Sequence, residues 1–352
     1  MKDCSILPME SGRRDKAAVG IRRQSFRRQG GRIMIYPFIL QPAWKDYLWG
    51  GERLKTDYHK QTELSPLAES WELSCHPDGE SVVKNGCFAG MPLSAVLKQH
   101  PEFAGERVNA CEFPLMIKLI DAKRDLSIQV HPDDDYARRT ENSMGKNEIW
   151  YIMDCEEEAE ILYGFRRDVS REEFRRAIEQ ESLTELVNRI PVHKGDVFFI
   201  PATTLHAIGK GILIAEIQQS SNLTYRVYDY GRRDKNGNTR PLHIEKAMEV
   251  TCLSASACTG NPQETPVQKA GYVSTLLHRC EYFRIFQWDV EKSAAISVDN
   301  DRFLHILCLE GEGTLQSCGQ CFPIRKGDGF FLPAGSGTAR LKGGLSVLLT
   351  TV

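Results

Sequence analysis

Gln129 and His131 stand two residues apart in the strand-like run Leu126-Ser127-Ile128-Gln129-Val130-His131. A β-strand turns successive side chains to opposite faces, so an amide oxygen and an imidazole share one face while Ile128 and Val130 turn to the other. Two further donors occur in matching settings: Glu148 opens an apolar run over 149–153, and His206 follows Phe198-Phe199-Ile200-Pro201. One amide, two imidazoles and one carboxylate form a mixed nitrogen–oxygen set that suits zinc, with a position left open for water or substrate. A lone Gln-x-His is an ordinary polar strand face. The metal reading gains weight because Glu148 and His206 each sit at a strand edge amid Gly and Pro punctuation.

These residues need strands to hold them. From Met34 to about residue 260 the chain reads as short strands separated by Gly, Pro and Asp, the first over 35–40. Helices are predicted at Leu93–Gln99, at Asp134–Glu141 and over 171–188, the last capped by Ser170 with Glu173 three residues on. The stretch 256–268, with Gly260, Pro262 and Pro266, reads as a linker. An internal repeat spans it: Lys194-Gly195-Asp196-Val197-Phe198-Phe199-Ile200-Pro201-Ala202 recurs as Lys326-Gly327-Asp328-Gly329-Phe330-Phe331-Leu332-Pro333-Ala334. Each copy has a Gly-Asp turn, an aromatic strand and a Pro that ends it, which predicts a mainly β chain of two antiparallel jelly-roll barrels with a few short helices. At the same spacing His206 corresponds to Thr338, and no Gln-x-His precedes the second copy. The expected organisation is a basic extension over 1–33, a metal-binding domain over 34–260 and a metal-free barrel over 261–352.

Composition narrows the function classes. A formal charge of −2 points to neither nucleic acid nor membrane, and no apolar run reaches spanning length. Eleven scattered Cys suggest reduced thiols of a cytoplasmic protein rather than a disulfide framework. Cys318-Gly319-Gln320-Cys321 lies between two strand-like runs, where its Gly suits a hairpin turn better than a redox or zinc motif. Residues 1–33 carry nine Lys or Arg against three acids and no apolar periodicity, as expected of a disordered tail or of sequence upstream of a start at Met34.

Longer segments resemble one family. The stretches 114–133 and 145–153, Pro201-Ala202-Thr203-Thr204-Leu205-His206-Ala207-Ile208-Gly209, Ala215-Glu216-Ile217-Gln218-Gln219-Ser220-Ser221 and Tyr225-Arg226-Val227-Tyr228-Asp229 resemble type I mannose-6-phosphate isomerases. Tyr47-Leu48-Trp49-Gly50-Gly51 and Ala68-Glu69-Ser70-Trp71-Glu72 extend the likeness, which covers about residue 36 to 352. It is to the short bacterial form, since little more than a helical hairpin fits between Glu148 and His206. The resemblance implies a cupin pair, one zinc ion per chain on Gln129, His131, Glu148 and His206, an active-site arginine at Arg226, and pocket positions at Lys118, Ser127, Lys146 and Glu216. It also implies a small sugar phosphate as partner, with the chain acting as monomer or homodimer. Asn147, where many relatives carry Pro or Thr, is a minor departure.

The implied reaction moves a proton between C2 and C1 of an aldose phosphate through a cis-enediolate. Two neutral His, a neutral Gln and one Glu leave a zinc ion net positive charge, as a Lewis acid toward the substrate oxygens needs. Arg226 could hold either phosphate or enediolate, or simply pair with Asp229. Lys118, in an apolar run, needs an anionic partner, a phosphate or a neighbouring carboxylate. Ser127 could donate to the phosphate. Lys146 and Glu216 are candidate proton carriers beside a metal-bound water, whereas His76, His193 and His243 read as surface or loop residues. Two rival readings are a metal oxygenase, which would want a more His-rich site, and a non-catalytic sugar-phosphate binder, which could dispense with the metal ligands.

Overall fold

The computed structural model describes residues 35–233 and 236–352, so the reading of 1–33 lies outside the described residues. It is mainly β, as expected, and 35–352 forms one compact unit. Two antiparallel sheets carry the candidate residues. A six-stranded sheet runs in the order Val197–Ile200, Glu148–Cys155, Ile212–Gln219, Leu115–Ala122, Glu69–Leu73, Ala43–Lys45. A five-stranded sheet runs Tyr225–Tyr228, Ile128–Val130, His206–Ile208, Glu160–Phe165, Val187–Pro191. Their facing sides close on one apolar core that includes Trp150, Ile152, Phe198 and Ile214 from the first and Ile161, Tyr163 and Ile208 from the second.

The two-residue period decides which side chains enter this sandwich. Ile128, Val130 and Ala207 turn to the back of the five-stranded sheet. There they pack under the helices Arg171–Glu179 and Ile244–Val250, through Phe174, Ala177, Ala247 and Met248. Gln129 and His206, the alternate residues, therefore face inward.

The helices Leu93–Gln99 and Asp134–Glu141 have the expected bounds. The Asp133 carboxylate caps the second by accepting the Tyr136 N–H at 2.9 Å. The helix predicted over 171–188 is shorter. Ser170 caps it as expected, through the Glu173 N–H, but it stops at Glu179. Glu181 takes a left-handed φ of 55°, Leu183–Glu185 forms a single tight turn, and Val187 enters a strand paired with Glu160–Phe165. Sheet pairing thus overrides the helical spacing of Leu186-Val187. The first strand starts at Phe38 rather than at residue 35, after Pro37, which has no N–H to give a ladder.

A third, ten-stranded sheet holds the C-terminal region and encloses its own apolar cluster. It also recruits the N-terminal strand Phe38–Gln41, which pairs with Gly329–Leu332. Cys318 and Gly319, with φ of 51° and 72°, make the turn of a hairpin whose strands pair Ser317 with Gln320, as the hairpin reading of the Cys-x-x-Cys expects. No helix among the described residues is long and apolar enough to cross a membrane.

Candidate active site

Cross-strand register assembles the site. On the five-stranded sheet Gln129 lies opposite both His206 and Arg226, so three strands set Arg226, Gln129 and His206 in one row. On the facing sheet Glu148 lies opposite Gln218, and Glu216 lies opposite Lys118 and Trp150. Residues far apart in sequence thus meet because neighbouring strands are only about 5 Å apart.

His131, Glu148 and His206 are buried, and one ligand atom from each falls within 4.8 Å of the others. The His131 Nδ1 bonds the Leu223 carbonyl at 2.7 Å, and the His206 Nδ1 bonds the Thr204 carbonyl at 2.8 Å. A carbonyl can only accept, so each Nδ1 carries the proton and each Nε2 presents a lone pair inward. Those nitrogens stand 3.5 and 3.4 Å from the two Glu148 carboxylate oxygens. Burial, then Lys146 and His206, holds the His131 imidazolium well below its usual range, and burial brings His206 down to about 4. Both rings are therefore neutral near pH 7, as metal ligands must be. Burial and the nearby Glu216 push Glu148 up to about 7, and its Oε1 has no hydrogen-bond donor. A buried carboxylate facing two lone pairs calls for a cation.

Lys146 lies against the cluster, its Nζ 3.1 Å from the His131 Nε2, in contact with the Glu148 Oε2 and 3.8 Å from the Glu216 Oε1. Glu216 pairs with Lys118 at 3.1 Å and accepts the Trp150 indole N–H at 3.1 Å. Its burial opposes ionisation, but Lys146 and Lys118 outweigh burial and keep it ionised, pulled down to about 2. Burial likewise disfavours the Lys118 ammonium, yet Glu216 and Glu69 raise it well above its usual range. Lys118 thus has the neighbouring carboxylate that was one of its two expected partners.

These groups border a cavity of about 280 Å³ lined by Gln129, Lys146, Glu216, Lys118, Ser127 and Arg226. Arg226 donates from Nε to the Ser127 hydroxyl at 3.2 Å and from Nη1 to the Pro241 carbonyl at 3.0 Å. Ser127 in turn donates to the Gln129 Oε1 at 3.3 Å. The pairing of Arg226 with Asp229 does not form; Asp229 is taken by Arg240, at 2.8 and 2.6 Å, and by Arg232. Two guanidinium groups thus share one carboxylate while Arg226 stands nearby without it, which leaves this group of four net positive.

Sequence reasoning missed several lining residues: Arg240, His243, Asn222, Thr224, Tyr47 and Glu69. His193 is exposed as expected, and His243 is a partly exposed loop residue, as read, just before the helix Ile244–Val250. It lines the cavity and accepts the Arg226 backbone N–H at 3.2 Å. Arg240 and His243 follow the Arg226 strand on a loop with no periodic pattern, and only the fold returns them to the mouth.

The family model for the phosphomannose isomerase type I catalytic domain matches residues 38–175, and that for the mannose-6-phosphate isomerase cupin domain matches 273–352. The chain is 39% identical over 311 residues to mannose-6-phosphate isomerase ManA of Bacillus subtilis, covering 87% of this chain and 96% of that one. It is 38% identical over 300 residues to a mannose-6-phosphate isomerase of Streptococcus mutans, covering 85% and 93%. The crystal structure of mannose 6-phosphate isomerase from Bacillus subtilis superposes with a TM-score of 0.84 at 37% identity, over 90% of this chain and 99% of that one.

Proposed function

The chain belongs to the type I phosphomannose isomerases, and within that family's reaction we propose that it interconverts mannose 6-phosphate and fructose 6-phosphate with one zinc ion, through a cis-enediolate. The observation that carries the metal is the buried His131, Glu148 and His206 cluster, with both Nε2 lone pairs and an undonated Glu148 oxygen converging. Gln129 completes the set: its amide nitrogen lies 3.5 Å from the His206 Nε2, and a half-turn about the Cγ–Cδ bond presents Oε1 there and turns Nε2 to the Ser127 hydroxyl. Zinc held so would supply Lewis-acid polarisation of the substrate oxygens.

The chain's own residues do the rest. Arg226 and Arg240 line the cavity, and with Arg232 and Asp229 close by they carry two net positive charges, which match a phosphate dianion. In this reading Arg240 anchors the phosphate at the mouth with Ser127. Arg226, fastened by Ser127 and Pro241 beside Gln129, turns its free Nη2 toward charge that develops on the sugar oxygens. Lys118 holds Glu216 in place, and Lys146 and Glu216, 3.8 Å apart, carry the proton between C1 and C2. Residues 34–260 are the catalytic domain and 261–352 a metal-free barrel of a cytoplasmic enzyme.

Turnover of mannose 6-phosphate before and after chelation, with metal content measured, tests the reading. Activity should vanish with the metal and return with zinc. Full turnover by protein shown to be metal-free would sink it.

A further inference from the structure

Strand registers carry each ligand position of the first barrel onto the second. Ile200 pairs with Glu148, and its repeat partner Leu332 pairs with Leu304, so Leu304 stands in Glu148's place. His206 pairs with Gln129, and Thr338 pairs with Ser297. The Glu216–Lys118 pair becomes Leu349 opposite Phe286. The second barrel thus has no ligand set at these positions.

It nevertheless keeps a cavity of about 330 Å³ there, lined among others by Leu304, Ser297, Leu349 and Phe286. What has been added is cationic. Arg284, two residues before Phe286 and so on the same face, enters the lining, and Arg302 enters from the loop before Leu304. Among the described residues no side-chain carboxylate pairs with either guanidinium, and the Arg284 Nε is buried without an acceptor. Arg302 gives one N–H to an oxygen of Val352, the last residue of the chain, whose carboxylate is its partner, which leaves Arg284 as the guanidinium without an acid. The cavity's one acid, Asp299, is exposed at the rim, where it accepts the Asp301 N–H at 3.0 Å. Burial, then Arg279 and Arg302, lowers the Arg284 guanidinium below its usual range. The apolar rings of Phe286 and Trp288 supply the wall beside these charges, and the Trp288 indole N–H is unpartnered.

We propose that the second barrel has exchanged a metal site for an anion site, and that this cavity binds a small phosphate monoester, its phosphate between Arg284 and Arg302 and its carbon skeleton against Phe286 and Trp288. The volume suits a small sugar phosphate, and two guanidinium forks suit phosphate oxygens.

Calorimetric titration of the full zinc-loaded chain with fructose 6-phosphate, and separately with inorganic phosphate, tests this. Two fructose 6-phosphate sites per chain are expected. Arg284→Gln or Arg302→Gln should weaken the second roughly 10- to 100-fold while turnover of mannose 6-phosphate is unchanged. Inorganic phosphate should compete at that site. A single site in the natural chain, or a second site indifferent to both substitutions, overturns the proposal. Should Arg284→Gln fail to fold, Arg302→Gln decides alone, since it lies outside the strands. Arg226→Lys, which acts on the first cavity, should leave the second site intact, so failure of the active-site reading and failure of this one are separable.

Discussion

Arg226→Lys should lower kcat strongly while the metal stays bound. Arg226 spends Nε on Ser127 and Nη1 on Pro241, and these two bonds fix the plane of the guanidinium. Lysine keeps the charge, but its single ammonium cannot satisfy both acceptors and still aim a donor at the substrate. If the remaining Nη2 meets charge that appears only in the transition state, its loss costs about 10²–10³ in rate, or roughly 3–4 kcal/mol. That loss belongs in kcat, because an interaction that strengthens along the reaction leaves ground-state binding alone. Phosphate affinity should hold, since Arg240 remains in the cavity lining. Steady-state kinetics with mannose 6-phosphate, beside a metal measurement on the same sample, reads both. A raised KM with kcat intact would move Arg226 to the phosphate; no change in either would remove it from the site.

His206→Ala should abolish turnover and metal retention, whereas Thr338→Ala, at the matching place of the sequence repeat, should leave both near normal; equal losses in folded proteins would refute the asymmetry. Lys118→Met should destabilise the fold by about 3–5 kcal/mol in urea, because it leaves the buried Glu216 with the Trp150 N–H and, as its one cation, Lys146 at 3.8 Å. A loss below about 1 kcal/mol would mean the pair is not a structural one. His305 is fully buried with both ring nitrogens unpartnered, and burial, then Lys60, lowers it to about 3. The unfolded chain therefore binds the extra proton below its ordinary value of 6.5, and stability should fall as pH drops from there toward 3. The loss from pH 7 to 5 is about 2 kcal/mol for this group, so His305→Asn should flatten the urea midpoint over that range. An unchanged slope counts against it.

Local pattern alone placed several parts of this chain. Strand alternation put Gln129 and His131 inward and Ile128 and Val130 outward, because side-chain direction in a strand depends only on residue parity. The Pro132-Asp133 turn located the start of the helix Asp134–Glu141, because a turn acts on the residues that follow it directly. The repeat located the strands Val197–Ile200 and Gly329–Leu332 together. Long motifs carried the family.

Other matters were decided only by the tertiary fold. Whether Lys118 meets a phosphate or Glu216 depends on which strand lies beside its own, and nothing within 115–122 encodes that neighbour. Arg240 and His243 come to the cavity mouth through a loop, where no periodicity exists to read. The helix that was expected to reach residue 188 ends at Glu179 because the Glu160–Phe165 strand needs Val187 as a partner. The net positive charge beside the cavity is likewise a sum over three guanidinium groups and one carboxylate that only folding brings within charge range. Sequence carries what a residue does to its neighbours along the chain; pairing partners, net local charge and burial are properties of the assembled sheets.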